Sequence, residues 1–422
     1  MKEEKRLYLW AMNPARESGA CQEYRIKIPM RELDKICYTF GYEAVGDNPR
    51  MDVQAQLSSD ICQFYSASGE NYLHRVKTLK DIKPGMLADG GHKYPPICIY
   101  DVDDNADFVH PFNETFMQLG VRHYPSGKLL TPGLTLEQEE QDGRRTTLAE
   151  DLVTHNSAGI TFDIARNLHE MKIRHELIRQ CHGATVSTPA LASYFKEVIG
   201  QKNVYVFPNT IVPTDYEYFD VRRESKTSVR ILWQGSPSHY VDWFPLRAAI
   251  REITEKYPQV KWVIYGWRFD WVHGLIPDDR IEFCRWTPYQ AYKLRRGLLN
   301  IDINLCPLAD NPFNRCKSAI KFYEGSIWKH PEATIAADVE TYREIQDGKT
   351  GLLYKSPAEL VQKIGVLIEN AELRQSLGAA AKKWVLANRT PEHTIPGLRD
   401  FFDDTRATQM ATLTPRIIHA SR

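Results

Sequence analysis

No run in this chain approaches the roughly 18 consecutive apolar residues that a membrane-spanning helix needs, so no membrane span is expected. The opening segment, "MKEEKRLYLWAMNPARESG", is charged and then only briefly apolar, with neither the core length nor the cleavage pattern of a signal peptide. Paired cysteine patterns are missing as well. Cys21, Cys37, Cys62, Cys98, Cys181, Cys284, Cys306 and Cys316 are scattered with no CxxC among them, which argues against a zinc ribbon or a disulfide framework. A reduced, cytoplasmic protein is expected, and the sequons at Asn113 and Asn388 then read as chance. His155, His169, His175 and His182 show no HExxH or comparable ligand spacing, so each reads as an isolated surface or core histidine. An excess of charge of one sign is also lacking: 54 Lys and Arg balance 54 Asp and Glu. The chain as a whole therefore has no general pull toward nucleic acid or membrane.

What is present is an ordinary globular composition, 42% hydrophobic and 26% charged over 422 residues, enough at roughly 150 residues per domain for two or three domains. "RLYLWAM" reads as a first strand, followed by a glycine-bearing loop and then "YRIKIPMRELDKI" with helical periodicity. "PPICIYDVDDN" reads as a buried strand ending in acid. Residues 104–150 are polar and long for a structureless loop. "SAGITFDIARNLHEMKIRHELIRQCHG" reads as a long helix, and "ATVSTPALASYFKEVIG" as a strand and helix with Ser187 or Thr188 as N-cap. A polar linker lies near 212–228. A second alternating series follows it, from "VRILWQG" through "VKWVIYG", "RIEFCRW", "IDINLCPL", "EATIAAD" and "DGKTGLLY". Such alternation predicts α/β architecture with parallel sheets covered on both faces. The expected division is 1–215, 216–395 and a tail, 396–422, packing back on the first domain.

Three stretches have the residue types for chemistry. In "NRCKSAIKFYEGS", Asn314 is an N-cap candidate that would put Lys317 in a first turn, and Lys317, Lys321 and Glu324 would share a helix face. A helix N-terminus, Ser318 and two lysines suit phosphate, and a carboxylate one turn on can accept hydrogen bonds from a ribose diol. In "GSPSHYVDW", Gly235 permits close backbone approach, Ser236 and Ser238 offer hydroxyls, His239 a titratable ring and Asp242 either a ligand contact or a helix cap. In "DVDDN", Asp101 and Asp103 are read as acceptor or catalytic contacts, with capping or metal binding as alternatives. Gly19 stands in the loop after the first strand, where α/β proteins hold ligands.

Together these stretches resemble the retaining GT-B glycosyltransferases, the large family that includes sucrose synthase-like and mannosyltransferase-like enzymes. The resemblance rests on "ILWQGSPSH", "IDINLCPLADNPFNRCKSAIKFYEGS", "EATIAADVETYREI" and "DGKTGLLY", over about residues 228–380. "SGACQEYRIKIPMREL" and "CHGATVSTPALASYF" match more weakly. It implies two doubly wound Rossmann-like domains facing across a cleft, and a nucleotide-sugar donor, a UDP-sugar, bound by the second. Of the family's two glutamates eight positions apart, Glu324 matches the ribose-binding one, while Cys316 replaces the other. The usual Arg/Lys pair after the second domain's first strand is absent, so the diphosphate falls to Lys317 and Lys321. The resemblance also implies no cofactor and no essential metal. The divergent branch it points to is common in bacteriophages and bacterial polysaccharide synthesis, which makes the acceptor a hydroxymethylated DNA base or a glycan, in host cytoplasm if phage-encoded. Arg166, Lys172, Arg174, Arg179, Lys293, Arg295 and Arg296 are the cations a DNA acceptor would use. A nucleotide-sugar epimerase or a non-catalytic binding protein are the competing readings.

Overall fold

The computed structural model describes residues 7–13, 19–35, 38–44, 53–83, 94–109, 113, 115–121, 163–216 and 228–420. The chain forms two compact units. The first comprises Met1–Asp104, Leu168–Thr210 and Arg389–Arg422; the second comprises Asn105–Asn167 and Ile211–Asn388.

The first unit is built on six parallel strands in the order β2-β1-β3-β4-β5-β6. These are β1 (Leu7–Asn13), β2 (Tyr38–Ala44), β3 (Ile61–Tyr65), β4 (Ile97–Val102), β5 (Gly183–Val186) and β6 (Val204–Val206). Strands such as β4, "ICIYDV", are buried along their whole length, as parallel strands covered on both faces must be. Leu9, Ile26, Ile61, Ile99 and Phe207 form one core, and Ile395, Leu398 and Phe402 of the helix Pro391–Ala420 complete it.

The second unit has strands β7 (Val229–Gly235), β8 (Val260–Gly266), β9 (Ile281–Arg285), β10 (Ile303–Cys306), β11 (Ala333–Ala337) and β12 (Leu352–Tyr354), ordered β12-β11-β10-β7-β8-β9. The chain starts in the middle, runs to one edge and returns beside its start. The strand order therefore reverses between β7 and β10, and ligands of doubly wound sheets bind at the carboxyl ends of the strands at such a point. The ends of β7 and β8 approach closely there. Gly266 has φ +102°, and a Cβ on it would stand 2.5 Å from the Gly235 carbonyl oxygen, which accepts from Trp267 N–H at 2.9 Å.

Sequence patterns missed β2, β3 and the helix Glu70–Asp81. In β3, "ICQFY", the buried Gln63 interrupts the apolar run, and its amide is satisfied by donating to the Arg25 carbonyl at 3.4 Å. The division of the chain also differs from 1–215 and 216–395. The described residues from 105 to 121 belong to the second unit, because Val109 and Phe116 pack with Phe313. Most of the expected linker, residues 217–227, lies outside the described residues. Thr188, not Ser187, caps its helix, accepting from Leu191 N–H. His182 lies beyond the helix Ile164–Gln180 and does not share its face with His175; His155 lies outside the described residues. None of the seven described cysteines forms a disulfide; Cys21 is exposed and the others are buried.

Candidate functional site

β7 ends at Gly235, and the chain turns through Ser236 into the short helical segments Pro237–His239 and Tyr240–Trp243. A Cβ on Gly235 would fall 2.8 Å from the His239 ring, so glycine here lets the imidazole pack over the strand end. Ser236 and Ser238 hydrogen bond to each other at 2.6 Å. Asp242 does not cap a helix. It is buried, takes His239 Nδ1 on one oxygen at 2.6 Å, and accepts on the other from Ala309 N–H and Asn314 Nδ2, both at 2.8 Å. It thereby ties the loop after β7 to the loop after β10, across the point where the strand order reverses.

Asp242 is held below the usual carboxylate range against the opposing effect of its own burial, chiefly by the His239 hydrogen bond. Burial, with Lys321 adding to it, lowers His239 from its ordinary 6.5 to about 4. The ring is therefore neutral near pH 7. Its Nδ1 carries the proton toward Asp242, leaving Nε2 as an acceptor, and Lys321 Nζ lies 3.3 Å from Nε2. Burial also lowers the Lys321 pKa. The chain Asp242–His239–Lys321 thus aims a partly desolvated ammonium from a fixed position.

Glu324 lies one turn beyond Lys321 on the helix Ile320–Ile327. It is buried and accepts from Tyr292 O–H at 2.8 Å and from Gln234 Nε2 at 3.4 Å. Sequence reasoning missed both partners. Gln234 stands at the carboxyl end of β7, but Tyr292 comes from the helix Tyr289–Leu298 and carries no local signal. The helix is seated on the sheet through Asn304, which donates to the Lys321 carbonyl at 2.8 Å; a Cβ on Gly325 would stand 2.4 Å from the Asn304 amide nitrogen.

The stretch "NRCKSAIKFYEGS" is not one helix. Asn311, followed by Pro312, caps a short helix, Pro312–Arg315, and accepts from Asn314 N–H at 2.9 Å. The next helix begins at Ile320. Asn followed by Pro is a stronger start than Asn314, whose side chain is committed to Asp242 and the Ala309 carbonyl. Lys317 and Ser318 therefore sit, half-buried, in the turn before the second helix. Lys317 does not share a helix face with Lys321 and Glu324; its ammonium lies 4.4 Å from the centre of the Phe313 ring.

In the first unit, Asp101 is 0% exposed. The Arg25 guanidinium grips it at 3.0 and 2.6 Å, and Thr185 Oγ1 donates to it. Arg25 also donates to the Phe207 carbonyl at 2.5 Å. Asp101 is an internal anchor, because a carboxylate buried in a sheet must be paired, and the partner stands 76 residues earlier in sequence. Asp103 is partly exposed and accepts from Tyr65 O–H at 3.1 Å. Burial, and then neighbouring Asp104, raise its pKa. Gly19 sits at the start of the helix Ala20–Gln22 with extended backbone; residues 14–18 before it lie outside the described residues.

Of the seven cations read as DNA contacts, three are buried and four are exposed. Lys293 is buried 3.3 Å from Asp215, and Arg296 is buried 2.5 Å from Glu332. Arg174 is buried, Arg179 pairs with Glu176, and Arg166 donates to the Met117 carbonyl. Arg166 and Arg179 make these contacts at the surface and are exposed, as are Lys172 and Arg295.

No protein-family model matches the chain, and no curated protein matches its sequence. Solved structures do match its fold. HepE from Anabaena, in complex with UDP and glucose, aligns with a TM-score of 0.57 at 12% identity, covering 94% of this chain and 100% of that one. Sucrose-phosphate synthase from Thermosynechococcus elongatus aligns at 0.54 and 10%, covering 98% and 100%. TarM aligns at 0.50 and 11%, covering 81% of this chain but 54% of that chain, so this chain spans about half the TarM length.

Proposed function

We propose that this chain, which has the GT-B glycosyltransferase fold, is a glycosyltransferase that takes its sugar from a nucleoside diphosphate, a UDP-sugar, bound on the second unit. The observation that carries the reading is the pairing of Lys321 and Glu324 one turn apart on a single helix. Each is fixed by its own network, where the strand order reverses. A ribose diol donates two hydrogen bonds, which suits a carboxylate held in place by Tyr292 and Gln234. A diphosphate needs cations and helix N–H groups, which suits Lys321, Lys317 and the start of the helix Ile320–Ile327. HepE, which was solved with UDP and glucose, agrees with the donor class.

In such a transfer the bond between the anomeric carbon and the diphosphate breaks, and negative charge grows on the leaving oxygens. A preorganised ammonium aimed at that charge lowers the barrier. His239 is a positioning residue in this scheme: neutral, anchored by Asp242, and accepting from Lys321, it has no lone pair left to act as a base. We read the transfer as retaining by resemblance and assign no protein nucleophile. A divalent metal is not required in this reading, since Asp101 of "DVDD" has both oxygens committed to Arg25 and Thr185. Asp103 is kept for an acceptor hydroxyl. With no net charge on the chain and three of the seven cations read as DNA contacts buried, a hydroxylated glycan is the acceptor favoured over a DNA base.

Calorimetry with UDP tests the donor site. Glu324→Ala should weaken binding by roughly 1.5–3 kcal/mol, the worth of hydrogen bonds to a charged group, and unchanged affinity in a folded variant refutes the assignment. Mass spectrometry of products from a nucleotide-sugar panel, with glycans and a 5-hydroxymethylcytosine duplex as acceptors and with EDTA in a parallel series, tests the rest. Product lost in EDTA and restored by Mg²⁺ or Mn²⁺ would overturn the metal-free reading.

A further inference from the structure

The helix Pro391–Ala420 crosses the amino ends of the first unit's strands, the rim opposite to the one where α/β sheets hold their primary ligands. Arg406 pairs with Asp60 just before β3, and Gln409 Nε2 donates to the Pro96 carbonyl just before β4 at 3.4 Å. Asn203, just before β6, donates to Thr405 Oγ1 at 2.9 Å. Between this helix and the strand ends lies a cavity of about 650 Å³. That volume is within the range of small-molecule sites, roughly 300–1,000 Å³.

One wall is buried and incompletely satisfied. His182 Nδ1 accepts from Cys98 N–H at 2.9 Å, so its proton is on Nε2. Burial lowers the ring to about pKa 4, and it is neutral. Its Nε2 lies 3.3 Å from Gln409 Nε2, which brings two N–H groups together, and Gln409 Oε1 is buried without a hydrogen-bond partner. Turning the amide over would give Oε1 to His182 but would set it against the Pro96 carbonyl and leave the NH₂ group over. In either orientation one pole of a buried amide needs something the protein does not supply.

The lining indicates what the cavity would hold. Thr408 and Thr412 donate to the Asp404 and Gln409 carbonyls of their own helix, which leaves their oxygen lone pairs as acceptors. The formal charges, Lys80 and Asp404, are opposite and cancel. Pro95, Leu413 and Phe401, the last stacked on Tyr205 at 5.4 Å, supply apolar surface. Neutral amides and hydroxyls beside an aromatic ring match a ligand with many hydroxyls, apolar C–H faces and no net charge. We propose that this cavity is a second binding site, for a neutral saccharide of about two rings.

The site lies within the first unit and does not depend on the donor assignment. Saturation-transfer NMR and calorimetry with maltose, cellobiose and sucrose, in saturating UDP, test it. At least one disaccharide should bind, with affinity unchanged in Glu324→Ala and at least tenfold weaker in Thr408→Trp, which fills the cavity, and in Gln409→Leu, which removes the amide. Thermal melting identifies which of these two variants is folded, and the folded one decides. The proposal is overturned if no disaccharide binds under saturating UDP, or if the folded cavity variant binds as the wild type does. Tighter binding of uridine or glucose 1-phosphate than of any disaccharide, lost in Lys80→Ala, would overturn it as well.

Discussion

Each unit buries an arginine against a carboxylate, Arg25 with Asp101 in the first and Arg296 with Glu332 in the second. Among the described residues, the second unit adds, at the carboxyl ends of its strands, a lysine and a glutamate held in place but not fully neutralised by one another. The first unit's pair is complete: bidentate, fully buried and supplemented by Thr185. A carboxylate satisfied in that way has no valence left for a ligand. Lys321 is the reverse case, an ammonium oriented by a neutral imidazole, so its charge remains available for an incoming anion. The contrast separates charges that hold a fold together from charges that wait for a ligand, and motif spelling alone does not make that separation.

The largest effect tests the first half of the contrast. Asp101→Ala leaves the Arg25 guanidinium buried and unpaired, and should cost roughly 3–5 kcal/mol of folding stability, measured by urea unfolding. If a folded Asp101→Asn variant instead keeps its stability and loses turnover, Asp101 belongs to the chemistry and the contrast fails.

Next in size is the second unit's lysine. Lys321→Ala should lower kcat/KM by roughly 100-fold or more, the scale of removing one preorganised donor to developing charge. Lys317→Met should cost less, because Lys317 rests on Phe313 without an aiming network of the His239 kind. Equal wild-type turnover in both variants would move the diphosphate to Gly235, Ser236 and Ser238.

A third effect compares the units through their half-buried histidines, His182 in the first and His239 in the second. Each is lowered from 6.5 to about 4, burial being the main cause. The unfolded chain therefore binds protons that the folded chain refuses. Stability is fully present above pH 6.5 and is lost as the pH falls through 4, by on the order of 3 kcal/mol per histidine. Urea unfolding from pH 7.5 to 4 should show a shallower acid loss in His182→Asn and in His239→Asn. An unchanged slope in either variant would mean that this ring is not held neutral.

The fold was largely legible because its signals are local. Apolar runs such as "VRILWQG" and "IDINLCPL" end in turn residues, and their alternation with helices implies parallel sheets. That Lys321 and Glu324 lie one turn apart on one helix was legible from their spacing. What stayed hidden depends on partners distant in sequence. Nothing near Asp101 announces Arg25, and nothing near Glu324 announces Tyr292. The helix starts at the cap Asn311 instead of Asn314 and breaks after Arg315, and spacing showed neither. Gln63 shows the same limit in β3, a polar residue in a buried strand made tolerable by one hydrogen bond that the sequence does not display.

The smallest effect sharpens the second unit's side of the contrast. Tyr292 is half-buried, its O–H donates to Glu324 at 2.8 Å, and its ring meets Tyr265 edge-on at 5.2 Å. Burial raises its pKa well above the usual phenol range, with the Glu324 charge adding to the effect, so the hydroxyl remains a donor at any ordinary pH. Tyr292→Phe keeps the ring and its packing and deletes one hydrogen bond to a carboxylate. Two consequences oppose each other. Glu324 loses the donor that orients it, which weakens its aim at a ribose, yet it also regains a lone pair that the ribose can use. The net loss of UDP affinity should therefore be only about 0.5–1.5 kcal/mol, smaller than for Glu324→Ala. In a Tyr292→Phe, Glu324→Ala double variant the losses should not add, because both act on the same ribose contact. Additive losses by calorimetry would place Tyr292 in a separate contact with the nucleotide and remove it from the support of Glu324.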